Sequence, residues 1–317
     1  MVETVRGPVP VDALGNLLAH EHVFVLSTEI MLNYPEEWGD EDTRVADAVS
    51  RLSALKASGI DTIIDPTAIG LGRYIPRIAR IAEQIELNII AATGLYTFEL
   101  LPPYYARRGI DAMVEHFVRD VTDGIADTGI KAGVLKCATD RPGVTPDVEQ
   151  VLRAVARAHR RTGAPITTHT HAASERGLEQ QKIFIDEGVD LTRVIIGHSG
   201  DTDDLVYLEA LLAQGSYLGM DRFGIDGYLT TDRRVAVVAE LCRRGHADHL
   251  LLSHDASCYL DWIPGEVDTS VTMPNWHYLH ISHDVLPMLR EAGVSDDDIS
   301  RMLCENPRRL FSVQGGY

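Results

Sequence analysis

The chain has 317 residues, of which 45% are apolar and 24% are charged, an ordinary balance for a folded globular protein. Its formal net charge is −18, from 29 lysine and arginine residues against 47 aspartate and glutamate residues. This charge disfavours nucleic acids and anionic membranes as partners, because both bind clustered positive charge.

The four cysteines, at positions 137, 242, 258 and 304, form no Cys-x-x-Cys pair. We therefore expect neither a disulfide framework nor a cysteine zinc site. The first twenty residues lack the pattern of a signal peptide. No apolar run approaches the roughly 18 to 20 residues that a membrane span requires. The sequence thus predicts a cytoplasmic protein with one domain over residues 1–317.

One local unit recurs along the chain: a short apolar run, a polar or glycine-containing turn, and then a longer helical pattern. Eight runs predict strands, at Leu17–Val25, Thr62–Asp65, Leu87–Thr93, Ala132–Cys137, Pro165–His169, Arg193–His198, Ser216–Asp221 and His249–Ser253. Most are nearly continuous apolar runs, as expected for strands that are covered on both faces. Helices are predicted at Thr43–Ser58, Pro146–Arg161 and Thr231–Arg244, since glycine follows each pattern closely.

This alternation of strands and helices predicts an α/β fold, the (β/α)8 TIM barrel. A doubly wound open sheet is the alternative. It is disfavoured because no Gly-x-Gly-x-x-Gly follows the first strand.

Polar residues stand where the predicted strands end, which is the face of a barrel that carries the chemistry. His20 and His22 are two residues apart and so share one face of a strand, an arrangement that suits two ligands of one ion. His169 and His198 end neighbouring strands and could bind a second ion, and Asp255 would add a carboxylate. Such ligands suit Zn, Co, Mn or Fe. Any one histidine alone is more often simply hydrogen-bonded, but the joint pattern favours a metal site.

Lys136 is unusual because the chain has only four lysines, and this one lies within an apolar strand. Burial beside cations favours its neutral amine. A neutral amine could take up CO2 and become a carbamate that bridges two metals. Alternatively, the side chain could extend to solvent as an ordinary lysine.

Six motifs in chain order resemble the phosphotriesterase-like branch of the amidohydrolase superfamily. They are Leu18–His22, Ala132–Lys136, Thr168–Thr170, Ile196–Asp204, Gly219–Gly224 and Leu252–Asp255. The resemblance covers Gly7 to about Phe311. It implies a binuclear metal centre at the C-terminal face, with His20, His22 and Asp255 on the buried metal and His169 and His198 on the exposed one. A hydroxide and carboxylated Lys136 would bridge the two metals, and the protein would be a homodimer.

Three local features resemble the lactonases of this branch rather than its bacterial phosphotriesterases. Tyr96 follows Thr93–Leu95, Arg222 directly follows Asp221, and the stretch Phe223–Thr231 is short. In the lactonases the loop after strand 8 forms an apolar channel for an acyl chain. The matching candidates for substrate contact are Cys258, Trp262 and Met273, beside Tyr96 and Arg222, although ordinary packing would also explain the apolar ones.

The resemblance implies hydrolysis of N-acyl-homoserine lactones, the signals of quorum sensing, with slower hydrolysis of organophosphate triesters. Asp255 would move the proton of the attacking hydroxide, and Tyr96 would stabilise the oxyanion. Arg222 would orient Tyr96 or the substrate, or simply pair with a carboxylate. Asp201 would orient a metal ligand from behind or relay a proton.

Three alternatives stay open: a dedicated phosphotriesterase, a hydrolase of other γ- or δ-lactones or cyclic amides, and a barrel that binds without turnover. For the dimer contact, the segment Asn33–Trp38 is a candidate, because Tyr34 and Trp38 look exposed.

Overall fold

Eight parallel strands form the centre of the computed structural model, which describes residues 1–313 and 315–317. In chain order, the barrel strands β1 to β8 are Leu17–Leu18, Thr62–Asp65, Asn88–Gly94, Val134–Thr139, Ile166–Thr170, Val194–Ile196, Tyr217–Met220 and Leu250–Leu252. Each strand pairs with the next one along the chain. The Ala19 amide donates to the Leu252 carbonyl (3.2 Å), which places β1 beside β8. The fold is therefore the predicted (β/α)8 TIM barrel and not an open sheet.

Helices surround the strands. The α-helices are Thr28–Asn33, Pro35–Trp38, Glu41–Ala57, Ile75–Ala82, Pro103–Ala106, Ile110–Thr122, Pro146–Thr162, Arg176–Asp186, Leu205–Leu212, Thr231–Arg243, Thr269–Thr272, Leu286–Glu291, Asp296–Ser300 and Asn306–Ser312. The three helices predicted from sequence are present within two residues of their expected ends. Among the residues described, no helix has the length and apolar character needed to cross a bilayer.

The first strand is shorter than predicted. Only Leu17–Leu18 and Phe24–Val25 are regular strand, and the latter pairs with Tyr259–Leu260 outside the barrel. Between them the main chain bonds irregularly, because the Glu21 amide donates to one side (Ile64 O, 2.9 Å) and the His22 amide to the other (Ala256 O, 2.9 Å). The segment still enters the barrel mouth, but the expectation of one strand over Leu17–Val25 is wrong.

Alternation along β4 sets which side chains enter the barrel. Val134 belongs to the apolar cluster inside the barrel, whereas Leu135 and Cys137 pack in the outer layer against the helices. Lys136 therefore points inward, and only 1% of its surface is exposed. Leu310 and Phe311 join the inner cluster from the C-terminal helix.

Glu21 and Ser253 join β1 to β8. Glu21 is fully buried, and its Oε1 accepts hydrogen bonds from His254 Nδ1 (2.6 Å), the His254 amide (2.8 Å) and Ser253 Oγ (2.7 Å). Its Oε2 accepts from the Ala256 amide (3.0 Å). Ser253 Oγ also accepts from the His20 amide (2.9 Å). One buried carboxylate thus satisfies four donors at the closing seam.

The position of Trp38 differs from the sequence-based expectation that it is exposed. It is 5% exposed, lies edge-on to Phe24 (ring centroids 5.2 Å apart) and packs under the guanidinium of Arg77, 4.5 Å from its ring. Its indole N–H donates to Glu41 (2.8 Å). Trp38 is therefore a core residue and not a surface contact, whereas Tyr34 is exposed as expected.

We expect Glu21→Ala to lower the free energy of unfolding by about 3 to 5 kcal/mol, because four buried donors lose their acceptor. Urea unfolding of the metal-free protein, followed by circular dichroism, measures the change. Glu21→Gln is the matched control, and its loss is expected to be smaller because one oxygen remains. Equal unfolding midpoints for wild type and Glu21→Ala would contradict this role of the seam.

Candidate metal centre

Three histidines direct nitrogen atoms at the carboxylate of Asp255. Asp255 Oδ1 is 3.5 Å from His20 Nε2 and 3.3 Å from His22 Nε2, and its Oδ2 is 3.8 Å from His198 Nε2. The possible ligand atoms of His20, His198 and Asp255 all lie within 4.8 Å of one another. Lys136 Nζ is 3.4 Å from His20 Nε2. Strands β1, β4, β6 and β8 thus bring these predicted residues together.

The outer nitrogen of each of these imidazoles has a fixed partner. Asp221 accepts from His20 Nδ1 (3.2 Å) and from His198 Nδ1 (2.9 Å). His22 Nδ1 donates to Thr67 Oγ1 (2.7 Å), and Thr67 donates to Asp65. These bonds place the proton on Nδ1 and leave the Nε2 lone pairs facing inward, as in metal sites where carboxylates orient the ligand histidines.

In His169 the two ring nitrogens have exchanged roles relative to the other three imidazoles. Its Nε2 donates to Asp140 Oδ2 (2.6 Å), so Nδ1 carries the lone pair. That Nδ1 is 3.0 Å from His198 Nε2, whose lone pair also faces inward, and it accepts a hydrogen bond from Tyr96 Oη (3.1 Å). Two lone pairs at this separation repel one another unless a cation lies between or beside them. The donor set therefore fits a divalent cation.

Electrostatics keep most of these imidazoles neutral. Burial lowers the pKa of His20, and Lys136 adds to the shift. Burial also lowers the pKa of His169 to about 4 and that of His198 well below its ordinary value. For His22 the effect of burial is outweighed by nearby carboxylates, including Asp255, and its pKa rises. Neutral imidazole is the form that binds metals, so the buried site favours metal binding at neutral pH.

The pKa values of Lys136 and Asp255 are both lowered, with different consequences for their charges. Burial lowers the pKa of Lys136 to about 8, even though the Asp255 and Asp221 carboxylates attract its charge. Burial would raise the pKa of Asp255, but interactions with the surrounding imidazoles, His20 foremost, and with Arg222 hold it well below its ordinary value. At neutral pH a part of the Lys136 population is therefore a free amine, while Asp255 stays ionised.

Two site residues have strained main chains. Residues with φ in the left-handed region that are not glycine include His198 (58°) and Asp255 (55°). Such conformations cost about 1 to 3 kcal/mol and concentrate at functional sites. His198 lies beyond Gly197 after the end of β6, and Asp255 lies beyond His254 after the end of β8.

Arg222 pairs with carboxylates on two sides. Its Nε donates to Asp255 Oδ2 (2.9 Å) and its Nη1 to Asp201 Oδ2 (2.8 Å). Asp201 Oδ1 in turn accepts from the fully buried Arg234 (2.8 Å). Of the two sequence-based expectations for Arg222, pairing with a carboxylate is the one that the geometry supports. The Asp201 carboxylate orients Arg222, and the Asp201 amide donates to the His198 carbonyl (3.1 Å).

A cavity of about 290 Å³ opens above these residues. Its floor contains the site histidines, Lys136 and Asp255, and its sides include Tyr96, Arg222, Trp262 and Met273. Its apolar wall is formed by Val25, Leu71, Ile225, Tyr228, Leu260, Ile263 and Trp276. Burial raises the pKa of Tyr96 above its ordinary value, so its hydroxyl stays protonated and can donate. Trp262 is half exposed and stands at the mouth.

The position of Cys258 also differs from the sequence-based prediction that it contacts substrate. Its sulfur lies 3.3 Å from the hydroxyl of the buried Tyr278, in the layer behind the cavity. The neighbouring residue Ser257 lines the cavity in its place. The loop after β8 has no regular alternation, and sequence spacing therefore could not decide which of the two side chains faces inward.

Sequence reasoning missed the partners that orient the histidines, Asp140 and Thr67 with Asp65, and it gave no role to Asp221. Asp65 and Asp221 were visible as acidic residues at strand ends, but Asp140 lies beyond its strand and carried no such signal. Trp276 was also missed. It lines the cavity, and its indole N–H donates to the Asp255 carbonyl (3.0 Å).

Comparison with known proteins gives a consistent result. The model of the phosphotriesterase family matches residues 1–311. A phosphotriesterase homology protein of Mycobacterium tuberculosis is 61% identical over 100% of this chain and 99% of its own. An aryldialkylphosphatase of Saccharolobus solfataricus is 38% identical, over 94% and 95% of the two chains. The solved structure of the phosphotriesterase from Mycobacterium tuberculosis superposes with a TM-score of 0.98, at 60% identity over 100% and 99% of the two chains.

The match covers nearly the whole chain, including all strand ends that carry the site. The chain therefore belongs to the phosphotriesterase family of metal-dependent hydrolases, within the amidohydrolase superfamily.

Proposed function

We propose that the site binds two divalent cations, which can be Zn, Co, Fe or Mn. The inward lone pairs and the carboxylate of Asp255 support this proposal. The ligands of the more buried cation would be His20, His22 and Asp255, and those of the more exposed cation His169 and His198.

Lys136 would complete the centre as a carbamate. In this step the neutral Nζ attacks the carbon of CO2, an N–C bond forms, and one proton leaves to solvent. The product is an anion with two oxygen atoms, able to bridge two cations. The lowered pKa of Lys136 supports the step, because only the free amine reacts.

Divalent cations in such a site lower the pKa of a water molecule and polarise a carbonyl group. Asp255 then takes up the proton of the attacking water at Oδ2 and passes it to the leaving alkoxide. Because Arg222 donates to the same oxygen, the proton is held only weakly there. Tyr96 donates its hydroxyl hydrogen to the developing oxyanion. His169 cannot accept from Tyr96 while its Nδ1 holds a cation, so that hydroxyl becomes available.

The substrate we propose is a lactone with an acyl chain, an N-acyl-homoserine lactone. The observation that carries this proposal is the division of the cavity into a polar floor and an apolar wall. The ring would lie over the floor, and the chain would follow Leu260, Ile263 and Met273 toward the exposed Trp262. The activity would be quorum quenching, with slower hydrolysis of organophosphate triesters.

The charges of the cavity favour a neutral substrate. Among its described lining residues, the lysine and arginine side chains are Lys136, which lies at the floor, and Arg222, whose charge is paired with two carboxylates. An anionic group in the upper cavity would therefore have no free cation to bind. A relative in Dictyostelium discoideum, 28% identical over 84% of this chain and 73% of its own, is named an N-acetyltaurine hydrolase. A sulfonate substrate of that kind suits this cavity poorly.

A dedicated phosphotriesterase is the second candidate. It is favoured by the relative named aryldialkylphosphatase, since a neutral phosphotriester would occupy the same floor and wall. A lactonase for γ- or δ-lactones without the homoserine group is a third.

Assembly and compartment are also proposals. Free cysteines and the absence of disulfides among the described residues suit the reducing cytoplasm. A homodimer through the exposed face of helix Thr28–Asn33 is consistent with its apolar side chains Ile30 and Leu32 and with the adjacent Tyr34. Residues 1–317 would form a single domain.

The assignment is tested by pH-stat hydrolysis of a long-chain N-acyl-homoserine lactone beside paraoxon, on one preparation with measured metal content. We expect about two metals per chain and a kcat/KM for the lactone well above that for paraoxon. A γ-lactone of equal chain length without the amide is the matched substrate. Two metals with the reverse order of rates would make the protein a phosphotriesterase.

We expect Lys136→Ala to abolish lactone hydrolysis and to leave the fold largely intact, because the bridging anion is lost. Dialysis against a chelator should have the same effect, reversed by added metal. Lys131→Ala serves as the control, since that lysine lies outside the site. Activity retained both in Lys136→Ala and after chelation would refute the binuclear centre.

We expect Asp221→Ala to weaken metal binding by about 10- to 100-fold, because two ligand histidines lose the acceptor that orients them. Competition with a chromogenic chelator measures the affinity. Asp140→Ala should affect the exposed metal alone, since Asp140 holds only His169. Asp203→Ala, at an exposed carboxylate of the same region, controls for the loss of charge. Equal affinity in Asp221→Ala and wild type would contradict this role.

A further inference from the structure

The carboxylate of Asp255 is aimed by the peptide groups on both sides of it. The Asp255 amide donates to the His20 carbonyl (3.0 Å), and this bond restricts φ at its left-handed value of 55°. The Asp255 carbonyl accepts from Trp276 Nε1 (3.0 Å), and this bond restricts ψ. The two bonds hold the peptide planes on both sides of Cα and thereby fix the direction of the Cα–Cβ bond relative to the barrel, while Arg222 holds the carboxylate itself through Oδ2.

The peptide between Asp255 and Ala256 is clamped from two sides. Its carbonyl accepts from Trp276, and its N–H donates to Glu21 Oε2 (3.0 Å). Glu21 is fixed in the barrel seam, but Trp276 belongs to the segment that returns from the loop after β8. One side of the clamp is therefore rigid, and the other is part of the cavity wall.

Trp276 is itself held in place by its neighbours. Its amide donates to the Met273 carbonyl (2.9 Å). Gly224, in the loop after β7, packs so closely on this segment that an added Cβ would lie 3.0 Å from Trp276 Cα. The loops after β7 and β8 thus meet at Trp276, and both contribute to the cavity.

We propose that Trp276 is a positioning residue for Asp255: its indole N–H fixes the direction of the carboxylate, so the cavity wall and the metal-binding carboxylate are mechanically coupled. This inference rests on the proposed role of Asp255. A left-handed aspartate that loses one of its two restraints can relax toward extended backbone, and its carboxylate would then turn away from His20 and His22.

The experiment uses Trp276→Phe in the full-length, metal-loaded protein, because phenylalanine keeps an aromatic wall and removes only the donor. We expect metal release to a chelator to be about tenfold faster than in wild type. We also expect kcat to fall about tenfold, equally for lactones with short and long chains, with KM changed by less than about twofold. Trp262→Phe, at the mouth of the same cavity, should change only the chain-length dependence of KM and leave the rate of metal release as in wild type.

Unchanged metal release and kcat in Trp276→Phe would overturn the proposal, as would a defect confined to the KM of long-chain lactones. If this variant does not fold, β-(3-benzothienyl)alanine at position 276 keeps the size of the indole and replaces only its N–H, with the same outcomes expected. A wild-type protein that binds metal without opening lactones would refute the lactonase assignment alone, because metal release still reports on Asp255.

Discussion

The seam between β1 and β8 is the contact on which the geometry of the site depends. His20 and His22 leave β1, Asp255 leaves β8, and these residues meet only because the sheet closes. Closure requires that the irregular main chain after Leu18 be satisfied without a full strand ladder. Glu21 and Ser253 supply those hydrogen bonds from side chains, which allows the backbone to turn into the cavity at His20 and His22.

A second constraint is that each imidazole must present a lone pair inward. Burial makes the rings neutral, but it does not choose the tautomer. The choice is made by acceptors behind the rings, with Asp221 serving His20 and His198 together and Asp140 serving His169 from the other side. The lone pairs therefore face inward before any ion binds. Their mutual repulsion raises the free energy of the empty site, and a bound cation would lower it.

The fold and the inner residues of the site could be predicted from sequence because they follow simple periodicities. Continuous apolar runs marked the eight strands, and polar residues at their ends marked the histidines, Lys136 and Asp255. The remaining features depend on loops, where no periodicity relates sequence to direction. Ser257 rather than Cys258 faces the cavity, Trp38 folds into the core from an exposed-looking segment, and Asp140 reaches His169 from beyond the end of β4.

Electrostatic attraction cannot discriminate between two neutral substrates in this cavity. Lactones and phosphotriesters both lack a net charge, and both would place an electrophilic centre over the same floor of ligands. Discrimination must therefore come from the shape of the wall, to which the segments after β1, β2, β7 and β8 contribute. Substitutions at wall residues such as Leu260 or Ile263 can redirect the specificity without disturbing the histidines or Asp255 at the floor. Trp276 is the exception on that wall, because its indole N–H also holds the Asp255 carbonyl, and a substitution that removes this donor would alter the chemistry even where the shape of the wall is kept.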